Sequence, residues 1–91
     1  MRIRWTEGAD SNLDQVEEYI AQDNPPAAVA TVNKIIEAAQ MLADYPTVGK
    51  RGREHGTREL VVAGLPYIVI YAVQCEELII LRVLHTSMKY P

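Results

Sequence analysis

The chain has 91 residues, 48% of them hydrophobic and 23% charged, with a formal net charge of -3. That length supports one core, so residues 1–91 are expected to form a single domain; no apolar run is long enough to cross a bilayer, and the lone cysteine, Cys75, excludes an internal disulfide or a multi-cysteine metal site. The acidic average field makes a poor non-specific polyanion binder, and residues 1–5 are not a signal peptide, so a cytoplasmic protein is expected.

Residues 1–5 read as a strand in which Ile3 alternates with Arg2 and Arg4. Thr6 is a good helix cap. Ala9, Leu13, Val16 and Ile20 then recur at helical spacing, with Asp10, Asp14, Glu17 and Glu18 mostly off that stripe. Asn24-Pro25-Pro26 ends this helix and starts another, because Asn24 can cap and proline is tolerated in a first turn whose N–H groups lack partners. The second helix is predicted from about residue 26 to 43, with Val29, Val32, Ile36, Ala39 and Leu42 on one face, and Tyr45-Pro46 stops it. So short a link makes the pair an antiparallel hairpin.

A basic loop follows, with glycines at 49, 52 and 56. Residues 50–58 carry four Lys/Arg against one acid, whereas residues 1–49 carry three against eight. Strands are predicted near residues 57–62, 67–73 and 78–84, and four-residue links between them indicate an antiparallel meander. The expected fold is α+β, in the order β-α-α-β-β-β, with a helical hairpin packed on one face of a small antiparallel sheet. Where the first strand joins the sheet is left open.

A sheet covered on one side should alternate apolar and polar residues. Residues 67–73 and 78–81 do not. Leaving three aliphatic side chains in water forfeits roughly 1.5–3 kcal/mol each. The second face is therefore expected to be covered by a partner protein or a second copy.

Few residues offer chemistry. His85 is the one candidate general base, since imidazole exchanges a proton near neutrality, though a strand-end histidine bonded to backbone is the plainer reading. His55, beside Arg53, reads as solvated. Lys50, Arg51, Arg53 and Arg58 can grip an acidic partner or phosphate; alternatively Arg58 pairs with Glu59 or a helix carboxylate and the others are solvated. Arg82 interrupts an apolar strand, so either its stem lies along the sheet or it anchors a partner's carboxylate. Trp5 reads as core or edge packing. Tyr67 and Tyr71 share a strand face and pack or meet a partner. Tyr90 lies in a short tail, and Cys75, in a turn beside Glu76 and Glu77, is not expected to be a reactive thiolate. No metal constellation is present, and the loop glycines follow a helix rather than open one, so no phosphate cradle is expected.

An ordered set of residues resembles the ParE branch of the ParE/RelE toxin superfamily over essentially the whole chain. The set comprises Trp5-Thr6, Ala9, Leu13, Tyr19-Ile20, Pro26-Ala27-Ala28, Pro46, Gly49-Lys50-Arg51-Gly52, Gly56-Thr57-Arg58-Glu59-Leu60, residues 67–71 and Val83-Leu84-His85. The resemblance implies the toxin of a type II toxin–antitoxin module, neutralised by an antitoxin (ParD-like, of ribbon-helix-helix type) whose flexible C-terminal segment wraps the toxin. RelE-like members cut mRNA on the ribosome with cationic strand residues and a C-terminal tyrosine or histidine. ParE-like members instead poison DNA gyrase. At the RelE positions this chain carries Glu59, Val61 and Ile68, with the last basic position falling near His85-Thr86, so three of four cannot stabilise a cleaving phosphate.

The resemblance therefore implies a gyrase inhibitor with no catalytic residues, no metal, no cofactor, no membrane association and no sequence-specific nucleic-acid binding. Lys50, Arg51, Arg53, Arg58, His85 and Lys89 are the expected target contacts. Tyr67, Tyr71, Ile80 and Arg82 are the expected antitoxin contacts. The alternative is a ribosome-dependent endoribonuclease using Arg58, Arg82, His85 and Tyr90, and a third reading is an inactive module kept for complex assembly.

Overall fold

In the computed structural model, which describes residues 1–87, the first strand β1 (Arg2–Trp5) leads directly into helix α1 (Glu7–Ala21). Thr6 makes the transition. Its hydroxyl accepts the Ala9 N–H at 3.1 Å, satisfying one first-turn donor. Ala9 and Val16 are buried, with Leu13 and Ile20 packed against the core, so the stripe read from spacing is the stripe that packs. Asn24 caps helix α2 (Pro25–Asp44) in the same way, its side-chain oxygen accepting the Ala27 N–H at 3.1 Å. The buried face of α2 is Ala28, Ile35, Ala39 and Leu42, with Val32 beside it. The expected face was rotated, since Val29 is exposed and Ile36 only half-buried.

After α2 come β2 (Lys50–Arg51), β3 (Arg58–Val61), β4 (Tyr67–Gln74) and β5 (Glu77–His85), in a five-stranded sheet of order β1-β5-β4-β3-β2. The helical hairpin lies on one face, with α1 against β5 and α2 against β1, β4 and β5. Two features correct the expected sheet. β1 joins at the edge beside β5 and runs parallel to it, so the sheet is mixed rather than antiparallel. The basic loop also contributes an extra strand, β2, too short to show a period.

The link between β4 and β5 has two residues, Cys75 and Glu76, both with positive φ (48° and 63°), the twist a tight hairpin needs. Between β4 and β5 the register slips: Ile70 faces Arg82 but Tyr71 faces Ile80, leaving Leu81 as a bulge. The start of α1 holds this bulge. Thr6 Oγ1 donates to the Leu81 carbonyl at 3.1 Å, and Asn12 Oδ1 accepts the Val83 N–H at 3.0 Å. Leu78 and Ile80 before it, and Val83 after it, therefore all reach the core.

Register sorts the two faces, because directly opposed residues point the same way. Trp5, Ile80 and Tyr71 form one row toward the helices, and Leu60, Val69 and Val83 form another. Toward the other side lie the rows Arg4–Ile79–Ala72, Lys50–Glu59–Ile70–Arg82 and Val61–Ile68–Leu84. The expected bare aliphatic face is mostly absent. Ile70 is only 4% exposed and Ile79 only 6%, although no helix covers them. Charged residues flank both by register, Arg4 beside Ile79 and the buried Glu59 and exposed Arg82 beside Ile70. Only the last row stays open, with Val61 exposed and Ile68 and Leu84 half-buried.

Candidate functional site

The basic loop begins where Tyr45 caps α2, and its entry is tightly bonded. The buried Tyr71 hydroxyl donates to the Pro46 carbonyl at 2.8 Å and accepts the Gly49 N–H at 3.0 Å. Glycine is needed there because a Cβ on residue 49 would sit 2.6 Å from that hydroxyl. Arg58 Nη1 donates to the Gly49 carbonyl at 2.7 Å and to the Thr47 carbonyl at 3.3 Å. Arg58 thus clamps backbone, which neither sequence alternative, a grip on a partner or a pairing with Glu59 or a helix acid, anticipated.

The turn between β2 and β3 is closed by the Gly52 N–H donating to the Thr57 carbonyl at 2.8 Å. The Thr57 hydroxyl and N–H both return to the Glu54 carbonyl, at 2.7 and 3.2 Å. Arg53 donates its N–H to Glu59 Oε2 at 3.2 Å, and Glu59 is buried. A cavity of about 560 Å³ opens at this turn, lined by Arg51, Arg53, His55, Thr57, Arg58 and Val73. Three of the four loop cations, Arg51, Arg53 and Arg58, line this cavity, and Lys50 does not. Lys50 opposes Glu59 on the helix-free face, while Arg51 opposes Arg58 on the helix side.

The other expected site residues are dispersed. Arg82 is exposed on the helix-free face beside Ile70, and its side chain makes no ion pair or hydrogen bond among the described residues. His85 is on the helix side, opposed to Tyr67 with the rings edge to face at 5.3 Å. The Ser87 N–H donates to His85 Nδ1 at 3.1 Å, with Ser87 Oγ at 2.7 Å. A backbone N–H can only donate, so Nδ1 carries a lone pair and the proton of the neutral ring is on Nε2. Arg58 is aligned with Tyr71, four residues along β4 from Tyr67, or about 13 Å at ~3.3 Å per residue. Arg58, Arg82 and His85 therefore do not converge. Lys89 and Tyr90 lie outside the described residues.

Three of the four expected antitoxin contacts are core residues. Tyr71 and Ile80 are fully buried, which gives them packing roles and leaves no surface to present, while Tyr67 is nearly buried and reaches the surface only in a groove. Burial, with a smaller contribution from Tyr19, raises the Tyr67 hydroxyl above the ordinary tyrosine value. Around Tyr67 a shallower groove of about 370 Å³ runs between α1 and β5, lined mainly by Val16, Tyr19, Tyr67, Leu84 and His85. The sequence reading missed Tyr45 and Val48, which are 64% and 55% exposed at the loop entry. Among the described residues no group of side chains could hold a metal ion, and no helix is long and apolar enough to cross a membrane.

Residues 3–90 match the family described as the ParE toxin of the type II toxin–antitoxin system parDE. The Sinorhizobium fredii protein Y4kP, named as a toxin candidate, is 43% identical over 99% of this chain and 93% of its own length. Toxin RelE2 of Caulobacter vibrioides is 34% identical over 94% of this chain and 96% of its own. Among solved structures, a chain of the chromosomal ParDE toxin–antitoxin system from P. aeruginosa superposes with a TM-score of 0.84 at 26% identity, covering 93% of this chain and 95% of that one. A chain of the RelBE2 toxin–antitoxin complex from Mycobacterium tuberculosis superposes with a TM-score of 0.63 at 27% identity, covering 92% and 95%.

Proposed function

Because this chain belongs to the ParE toxin family of type II toxin–antitoxin systems, we propose that it inhibits DNA gyrase by docking on it and breaks no covalent bond itself. The observation that carries this reading is the state of His85. Its Nδ1 accepts the Ser87 N–H, and Arg58 and Arg82, the cations that would assist it in cutting, lie apart from it. Arg58, one of the cations of the alternative nuclease set, spends its Nη1 on the Gly49 and Thr47 carbonyls.

A cognate antitoxin, encoded beside the toxin and of the ribbon-helix-helix type, would silence it in the cytoplasm. Two surfaces suit such a partner: the apolar groove between α1 and β5, and the open row Val61–Ile68–Leu84. The likeness to chains from two solved toxin–antitoxin systems supports a partner of this kind.

A second reading, a ribosome-dependent mRNA endonuclease, is favoured by the 34% identity to a protein named toxin RelE2. It requires His85 to release Ser87 and the cations to regroup on the ribosome. A supercoiling reaction separates the two. Purified chain added to gyrase and relaxed plasmid should leave the plasmid relaxed or accumulate cleaved DNA. Undiminished supercoiling at a large molar excess would remove the gyrase reading.

A further inference from the structure

We propose that the cavity at the turn between β2 and β3 binds a nucleoside diphosphate, with its phosphates held between Arg51 and Arg58. The site is separate from the reading of this chain as a gyrase inhibitor and does not depend on it.

Arg51 and Arg58 are directly opposed across the antiparallel pair of β2 and β3. Side chains so placed point the same way with Cβ atoms about 4.5–5.5 Å apart, where like charges repel. Neither arginine makes an ion pair among the described residues. An anion between the two would turn that repulsion into two attractions. Arg58 is already set for one. Its Nη1 is taken by the Gly49 and Thr47 carbonyls, which fixes the guanidinium plane. The parallel N–H groups of Nε and Nη2, an edge that suits bidentate pairing with phosphate, have no partner among the described residues.

The cavity of about 560 Å³ around this pair has the size of a small-molecule pocket. Arg53, His55 and Thr57 add to its polar lining, and Glu54 is its one carboxylate. Exposed Val73 supplies an apolar wall, two residues along β4 from Tyr71, which Arg58 opposes. The walls are in place before any ligand arrives. The Gly52 N–H donates to the Thr57 carbonyl at 2.8 Å, and Thr57 returns to Glu54, so the turn is closed in advance.

Charge and size select the ligand. Two opposed arginines with Arg53 and His55 beside them call for more negative charge than one carboxylate brings, and the guanidinium fork matches phosphate oxygens. A lone phosphate would leave most of the volume and Val73 uncovered. A nucleoside diphosphate occupies both, because a flat base stacks on guanidinium planes. A nucleic-acid strand fits less well, since Lys50 lies on the other face and the net charge of -3 repels a long polyanion. The grip comes from side chains and needs no glycine-rich turn opening a helix.

The test titrates ADP into the wild-type chain, Arg51→Gln and Lys50→Gln, following amide shifts by NMR and thermal unfolding. Shifts should concentrate at residues 51–58 and at Val73. ADP should raise the unfolding temperature of the wild type and of Lys50→Gln, while Arg51→Gln should bind about tenfold or more weakly. Without ligand, Arg51→Gln should unfold at the same temperature or higher, because one of two opposed charges is gone. A lower temperature would overturn the repulsion on which the site is argued. No ADP binding at millimolar concentration, or equal binding by Arg51→Gln, would overturn the site itself. Inorganic pyrophosphate binding as tightly as ADP would overturn the nucleotide in favour of a bare anion. A single-stranded oligonucleotide that binds more tightly than ADP, and weakens as much in Lys50→Gln as in Arg51→Gln, would overturn it in favour of a strand.

Discussion

The Tyr71 hydroxyl, buried at the centre of the sheet, spans the loop entry by donating to Pro46 and accepting from Gly49. This single hydroxyl ties the core of β4 to the start of the basic loop. Tyr71→Phe leaves the Gly49 N–H and Pro46 carbonyl without that partner and should cost roughly 1–3 kcal/mol in denaturant unfolding. Gly49→Ala should cost more, because its Cβ would stand 2.6 Å from the hydroxyl and 2.9 Å from the Glu59 carbonyl oxygen. Amide exchange should quicken across residues 47–49 in Tyr71→Phe and leave β1 and β5 unchanged.

The bulge at Leu81 is held from α1 by two separate bonds, from Thr6 and to Asn12. Thr6→Ala also removes the cap of α1 and should cost about 1–2 kcal/mol, with Thr6→Ser restoring most of it. Asn12→Ala orphans the Val83 N–H at a similar cost. Both changes act on one backbone irregularity, so the double variant should lose less than the sum of the singles, as read in a urea double-mutant cycle.

At the Cys75–Glu76 turn both central residues take a left-handed conformation that suits Asn-Gly. Glu76→Gly should relieve about 1 kcal/mol of that strain and raise the urea midpoint. Cys75→Asn should add a smaller gain, and neither should alter growth arrest.

Alkaline pH should test the burial of Tyr67. Its hydroxyl holds its proton more tightly in the folded chain than in the unfolded one, where tyrosine ionises near ~10. Above that value the unfolded chain binds fewer protons than the folded chain, so stability falls as pH rises. The contribution is complete below pH ~10 and is lost as pH climbs through the folded value. Denaturant midpoints measured at rising alkaline pH should decline less in Tyr67→Phe than in the wild type.

Much of the fold was legible because local chemistry and tertiary packing agree. Thr6 and Asn24 cap as their types suggest, and the spacing of Ala9, Leu13, Val16 and Ile20 is the face that packs. On α2 the sequence offered too many apolar positions. Val29 and Ile36 fit a helical stripe as well as Ala28 and Ile35 do, and only packing against the sheet selects between them. The strand β2 has no period to read. The Leu81 bulge depends on partners more than 70 residues away in sequence. The site was less legible still. Arg58 looked like a free cation because its partners are carbonyls, which carry no side-chain signature. Ile70 and Ile79 looked bare because their register neighbours include charged residues, Glu59 and Arg82 for Ile70 and Arg4 for Ile79, which an apolar period does not count as cover.

The central claim is that this toxin docks and does not cut. Its most direct test is the fate of messenger RNA on purified ribosomes incubated with the wild-type chain at concentrations that arrest gyrase in a parallel reaction. The account predicts full-length message at every concentration. Discrete cleavage products that disappear in His85→Gln would contradict it.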